Sequence, residues 1–255
     1  MSEHIKVTRD GRVMTIRLAR PEKKNALTAA MYSAMAAALA EAEADSGIGA
    51  VVLLGSAGTF CAGNDIADFL SAPPDNRDSP VGSYLFGLAR ATVPLLAGVD
   101  GDAVGVGTTT LLHCDMTLVT ARARLRLPFV SLGIVPEAGS TLLLPRIMGH
   151  ARAAELIMLG DAFDGARAVE LGIANHLVEP EALEEKTLAL ATRLAEQPPT
   201  AIREAKRLLR GDQKALEAQI EEEMRVFMAQ LTSAEAREAF TAFMEKRKPD
   251  FSKVG

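Results

Sequence analysis

The chain has 255 residues, 28 basic against 33 acidic, and a net charge of −5. It is long enough to bury a large core, and its slightly acidic balance, with no basic block carrying interleaved aromatics, argues against a nucleic-acid partner. Cys61 and Cys114, its two cysteines, sit in apolar runs and read as reduced, buried thiols. No stretch approaches the length of a membrane span, and Met1-Ser2-Glu3-His4-Ile5-Lys6 has no signal-peptide core, so the chain is expected in the cytoplasm.

Residues 5–8 and 13–18 alternate around Asp10-Gly11, which predicts a β-hairpin. Thr28 is placed to cap an alanine-rich helix over 29–44. Residues 50–55 form a continuous apolar run, the pattern of a buried parallel strand. Ser71-Ala72-Pro73-Pro74-Asp75-Asn76-Arg77-Asp78-Ser79-Pro80 is expected to be a mobile loop. Helix 81–91, strand 94–99, helix 105–113 and strand 116–120 continue a strand–helix alternation, and a short strand follows at 125–128. Beyond His150 the pattern is mainly helical: 150–159, 165–171, 180–196, 200–210, 213–231 and 233–247, with a last strand at 175–178. No solenoid repeat is visible. The composition breaks at Gln197-Pro198-Pro199, dividing the chain into 1–197 and 198–255.

Two strand-to-loop junctions carry chemistry. The first strand leads into Phe60-Cys61-Ala62-Gly63-Asn64-Asp65-Ile66. The second leads into Asp100-Gly101-Asp102-Ala103-Val104-Gly105-Val106-Gly107, which turns helical at Thr108-Thr109-Thr110. Small residues beyond the carboxyl end of a buried strand let backbone N–H groups approach a ligand. Two such junctions can aim two amides at one oxygen, as an oxyanion hole requires. Gly105-Val106-Gly107 lacks the third glycine and the ribose-binding acid of a dinucleotide fingerprint. His4, His113, His150 and His176 have no metal-ligand spacing, so no metal is assigned.

Together with Arg20-Pro21-Glu22-Lys23-Lys24-Asn25-Ala26-Leu27, Gly133-Ile134-Val135-Pro136-Glu137-Ala138-Gly139-Ser140 and Phe240-Thr241-Ala242-Phe243-Met244-Glu245-Lys246-Arg247-Lys248-Pro249-Asp250-Phe251, these motifs resemble, in order and over nearly the whole chain, the crotonase (enoyl-CoA hydratase/isomerase) superfamily. The resemblance implies an α/β fold: a crotonase-like ββα spiral core over 1–197 and a C-terminal helical trimerisation region over 198–255. It implies a homotrimer or dimer of trimers acting on an acyl-CoA thioester, with no separate cofactor because coenzyme A is part of the substrate. From periodicity alone, an amphipathic C-terminal helix can equally cover its own core.

By motif position the oxyanion donors are the backbone N–H groups of Asn64 and Val106, each contributing on the order of 3 kcal/mol. The resemblance places CoA or substrate contacts at Lys23, Lys24, Ala26, Ala62, Gly63, Asn64, Asp65, Ile66, Gly105, Val106, Thr109, Phe129 and Pro136. It adds Phe243 and Lys246, reaching the CoA of an adjacent subunit. Arg20, Lys23 and Lys24 either reach CoA phosphates or form a solvated basic turn. Asp65 caps the short helix after it or pins the loop.

The family's hydratases use two glutamates to hold water; here those positions carry Thr109 and Phe129. Glu137 sits where the Δ3,Δ2-enoyl-CoA isomerase branch carries its catalytic acid. The expected reaction is therefore isomerisation of 3-enoyl-CoA to 2-enoyl-CoA, with Glu137 moving the proton. Other readings are an enoyl-CoA hydratase, another enolate-forming crotonase such as an aromatic-epoxide CoA isomerase, and a non-catalytic acyl-CoA binder or RNA-binding scaffold of this fold, against which Glu137 and the acidic balance respectively argue.

Overall fold

A computed structural model describes residues 2–71 and 76–254. The chain opens with the hairpin β1 (Ile5–Asp10) and β2 (Val13–Leu18), followed by α1 (Ala29–Ala44), β3 (Ala50–Leu54), α2 (Ile66–Ser71) and α3 (Pro80–Arg90). Next come β4 (Leu95–Val99), β5 (Asp102–Val104), α4 (Val106–Thr109), β6 (Met116–Thr120), β7 (Arg124–Arg126), α5 (Ser140–Met148) and α6 (His150–Leu159). The remainder is β8 (Phe163–Asp164), α7 (Gly165–Glu170), β9 (His176–Val178), α8 (Leu183–Ala195), α9 (Pro199–Arg210), α10 (Gln213–Leu231) and α11 (Ala234–Met244). The Thr28 hydroxyl accepts from Met31 N–H and caps α1 as anticipated.

Six strands form one sheet in the order β1-β2-β3-β4-β6-β9, antiparallel only between β1 and β2. A second sheet has the order β5-β7-β8. β4 is followed at once by β5, and β6 by β7, so each turn of the chain gives one strand to each sheet before its helix. After β3 the turn is the same, with Cys61 alone bridging to Ala103 of β5. The core is thus a ββα spiral.

β3 and β4 are wholly buried because helices cover both faces of the sheet. Alternate residues point opposite ways. Val51, Leu53, Leu95 and Ala97 pack with α1, whereas Val52, Leu54 and Leu96 pack with Ala191 and Ala195 of α8.

The structure departs from the sequence reading in small elements. β5 and β8 are too short to show a period. The strand expected at 125–128 runs 124–126. The helix expected over 105–113 is α4 followed by a 3-10 turn over Thr110–His113. α5, absent from the expected elements, starts behind Gly139 and contains Pro145, which masks its helical pattern. Of the loop expected to be mobile, residues 72–75 lie outside the described residues, while Ser79 caps α3 by accepting from Gly82 N–H. No described helix is long and apolar enough to cross a membrane.

α9 and α10 put side chains into the spiral. Lys206 of α9 is 5% exposed; its Nζ donates to the Val93 carbonyl (2.7 Å) and to Asp115 Oδ2 (2.6 Å). Burial pulls its pKa down to about 8. Arg210 donates to the carbonyls of Leu88, Ala89 and Ala91 at the end of α3, and to that of His113. A cation over the carbonyls that end α3 suits the negative end of its dipole.

Lys206→Met should lower stability by about 1–3 kcal/mol, because the Asp115 carboxylate and the Val93 carbonyl each lose a charged hydrogen-bond donor. The double variant with Asp115→Asn should lose less than the sum of the single changes. Urea unfolding of the single and double variants tests this; strict additivity would show that the pair is not coupled.

Candidate active site

The site is assembled by backbone pairing between two loops. In the first loop, Cys61 N–H donates to the Asp102 carbonyl (2.9 Å), and Val104 N–H donates to the Cys61 carbonyl (2.8 Å). Three residues on, Leu27 N–H donates to the Gly63 carbonyl and Asp65 N–H to the Leu27 carbonyl, both at 2.8 Å. Successive N–H groups in extended chain point to opposite sides. With residues 63 and 65 tied to Leu27, the Asn64 N–H is turned away from it, toward the second loop.

The second loop is built around Gly105, which has φ 56° and donates its N–H to the Arg126 carbonyl (2.9 Å). Val106 opens α4, so its N–H has no intrahelical acceptor. Among the described residues neither Asn64 N–H nor Val106 N–H has an acceptor within the chain. Gly107 is required by close approach: a Cβ there would lie 2.7 Å from the Cys61 carbonyl oxygen.

Glu137 lies on the loop before α5. Its Oε1 accepts from the Thr109 hydroxyl of α4. The residue as a whole keeps some exposure, but desolvation of its carboxyl pushes the pKa up to about 8; the Thr109 hydrogen bond opposes the shift, and the Glu223 charge adds to it. The next residue, Ala138, has φ 62°, a left-handed conformation uncommon for a side chain with a Cβ. His113 Nε2–H donates to the Ala138 carbonyl (2.8 Å). Burial and the nearby Arg210 hold that imidazole neutral, with its pKa near 4.

A cavity of about 350 Å³ opens onto both donor loops. Its walls include Pro128, Phe129, Phe227, Phe240, Phe243, Arg126 and Arg247. A compartment of about 30 Å³, room for a water or a methylene group, lies behind it and is lined by Tyr32, Glu137, Met224 and others. The two share Asn64, Phe69 and Phe227. Across both linings, Glu137 is the one carboxylate among the described residues.

Of the residues expected at the site, Ala62, Gly63, Asn64, Ile66, Gly105, Val106, Phe129 and Phe243 line the cavity. Phe243 lines the cavity of its own chain. Thr109 meets Glu137, and Pro136 is buried beside it. Lys24 stands at the rim: its carbonyl accepts from Ala62 N–H and its Nζ pairs with Asp102 (3.1 Å). Lys23, Ala26 and Lys246 line neither compartment. Arg20 is taken up by Asp65 (2.8 Å) and the Ala26 carbonyl rather than left for a phosphate. The Asp65 carboxylate also accepts from Asp68 N–H, so it pins the loop and starts α2.

Sequence reasoning missed Tyr32, whose hydroxyl donates to Asn64 Oδ1, and Glu223. Glu223 sits in an acidic run that reads as solvated. Yet Leu216, Ile220, Glu223, Phe227 and Leu231 share the buried face of α10. That spacing was the available signal.

The sequence profile of the enoyl-CoA hydratase/isomerase family matches residues 8–254. A probable enoyl-CoA hydratase of Rhizobium meliloti is 33% identical over 98% of both chains. The 1,2-epoxyphenylacetyl-CoA isomerase of Escherichia coli is 33% identical over 94% of this chain and 95% of its own. Among solved structures, OdaA of Pseudomonas aeruginosa superposes with a TM-score of 0.92 at 48% identity, covering 95% of this chain and 99% of that one. An enoyl-CoA hydratase/isomerase of Pseudoalteromonas atlantica superposes at 0.94 and 38% identity, covering 98% and 100%.

A carboxyl with a raised folded-state pKa stabilises the fold at low pH and loses that contribution as pH climbs to the folded value. For Glu137 the window runs from the ordinary carboxylate range to about 8. Glu137→Gln should therefore stabilise the protein little at pH 5 and by about 1–3 kcal/mol above pH 8, after discounting for its residual exposure. Thermal unfolding at the two pH values measures the difference; an equal effect at both would mean that the carboxyl is not desolvated.

Proposed function

The chain belongs to the enoyl-CoA hydratase/isomerase family, whose enzymes act on acyl-CoA thioesters, and we propose that it isomerises 3-enoyl-CoA to 2-enoyl-CoA. The observation that carries this reading is the single carboxylate, Glu137, in a compartment that shares Asn64 with the cavity onto which the Asn64 and Val106 loops open. Hydration needs two groups to hold and split water. The positions where hydratases of the family carry them hold Thr109, which donates to Glu137, and Phe129, which makes an apolar wall.

In the proposed reaction the thioester oxygen sits against the two amides. The Glu137 carboxylate takes a proton from C2: the C2–H bond breaks, the acid O–H forms, and the electron pair passes into a dienolate whose oxyanion the amides hold. The same acid then protonates C4. One group serves both steps because the two carbons flank one conjugated system. A pKa near 8 makes Glu137 a competent base and, once protonated, a ready donor to carbon. The phenylalanine-rich wall keeps water from the dienolate. That wall also favours a second reading, an aromatic acyl-CoA isomerase, in line with the Escherichia coli relative named above.

Incubation with 3-enoyl-CoA, 2-enoyl-CoA and an aromatic epoxide acyl-CoA, followed by absorbance and mass, separates these readings. The expected result is double-bond migration with little water addition. Glu137→Gln should keep acyl-CoA affinity and lose roughly 100- to 10,000-fold in isomerisation. Robust hydration that survives this change would sink the proposal.

The ionised base is needed first, so kcat/KM should rise about tenfold per pH unit below about 8 and level off above it. A profile flat from pH 6 to 9 would remove Glu137 as the base.

Val106 occupies the first helical position, where proline is tolerated. Val106→Pro therefore deletes the donor and should cost about 100-fold in kcat, whereas Val106→Ala keeps it and should be mild. Equal losses in two folded variants would contradict the backbone assignment.

A further inference from the structure

Besides the Thr109 hydroxyl on its carboxylate, two tethers from outside the loop hold the backbone that follows Glu137. The first is His113, through the Ala138 carbonyl. The second is Glu223 of α10. Helix α5 starts behind Gly139, which has no side chain with which to cap it, so the N–H groups of its first turn need an acceptor from elsewhere. Glu223 supplies it. Its Oε2 accepts from Gly139 N–H (2.6 Å), and its Oε1 accepts from Thr141 N–H (2.9 Å) and from the Thr141 hydroxyl. A carboxylate at a helix N-terminus is well placed electrostatically. This one is nonetheless only 4% exposed, and losing its hydration raises its pKa to about 7. A buried carboxylate whose charge reaches another buried acid is a costly cap, and a neutral side chain would cap α5 without adding a like charge near Glu137.

We propose that Glu223 is a positioning residue for Glu137: by clamping Gly139 and Thr141 it holds the left-handed turn at Ala138 and keeps the Glu137 carboxyl facing Thr109 and Asn64. This rests on Glu137 being the acid–base of the proposed reaction. Glu223 also sets the charge that Glu137 senses. Tyr32 of α1, Tyr84 of α3 and Cys61 of the first donor loop face Glu137 too, but burial raises all three pKa values and keeps them protonated. His113, behind Ala138, is neutral above pH 4. Glu223 is therefore the neighbour whose ionisation Glu137 feels.

The test uses the full chain, with Glu223→Gln and Glu223→Asp beside Glu137→Gln. Three quantities are read: kcat and KM for 3-enoyl-CoA, thermal stability, and the titration of the Glu137 carboxyl carbon by NMR, assigned by its loss in Glu137→Gln. Glu223→Gln should cut kcat roughly 10- to 100-fold with KM changed less than about threefold, as expected when a reacting group is misplaced and binding is not. It should also move the Glu137 titration to lower pH, because the like charge is gone. Glu223→Asp keeps the charge, so it should leave the titration near that of the wild type and recover part of kcat. Unchanged kcat and titration in Glu223→Gln, or a fall in thermal stability alone, would overturn the inference and leave Glu223 as an ordinary helix cap. If the wild-type protein does not isomerise, the acid–base reading fails. The position of the Glu137 carboxyl still decides the clamp in that case: a carboxyl displaced from Thr109 in a crystal structure of folded Glu223→Gln supports it, and an unmoved one refutes it.

Discussion

The structure depends on one short backbone bridge, Cys61 to Ala103. It joins the loop after β3 to the strand after β4, and so ties one donor loop to the other. The strands themselves bring the loops only to the same edge of the sheet. The bridge sets their register, and register decides which N–H of each loop points inward. Gly107 against the Cys61 carbonyl, and Gly63 against that of Val104, show how closely the loops meet. Any side chain at Gly107 would force them apart. Two unpaired amides facing one cavity follow from that contact, and an oxyanion held by preorganised dipoles costs no reorganisation during reaction.

The acid is held differently. Glu137 stands on an irregular turn that includes a left-handed alanine, a conformation that persists only when the surroundings impose it. The surroundings are supplied from a distance. His113 follows α4 and is itself fixed by Arg210 of α9; Glu223 comes from α10. The C-terminal helices thus do more than cover apolar surface. They carry charged side chains into the spiral, where Lys206 and Arg210 satisfy carbonyls and Asp115, and Glu223 satisfies amides. Protein interiors transmit such constraints because they are close-packed.

Burial gives Glu137 its chemistry and weakens the fold in return. The energy that would hydrate an exposed carboxylate is forgone, which raises its proton affinity into the range where it can both take and return a proton at carbon. Two neighbours adjust it: the Thr109 hydroxyl favours the ionised form, and the Glu223 carboxylate opposes it. At the positions where the family's hydratases carry acids, this chain has the hydroxyl that tunes Glu137 and the ring of Phe129 that keeps the pocket apolar.

The sequence by itself determined the elements whose signal is local and long: the hairpin, α1 with its Thr28 cap, the buried runs of β3 and β4, and α10. Glycine-flanked loops after buried strands were readable from neighbouring residues, and within them the resemblance to the family's motifs singled out Asn64, Val106 and, in the Pro-Glu-Ala-Gly turn, Glu137. Only the tertiary structure decided what those groups meet. The commitment of Arg20 to Asp65, the closing of Phe243 over its own chain's cavity, the hydroxyl of Tyr32 on Asn64 and the reach of Glu223 to Gly139 all join residues tens of positions apart. Burial and hydrogen bonding across such separations depend on how elements pack, and no periodicity within one element encodes its partner. Glu223 shows the boundary. Helical spacing marks it as inward-facing, but only the fold supplies the amides that make an inward carboxylate tolerable.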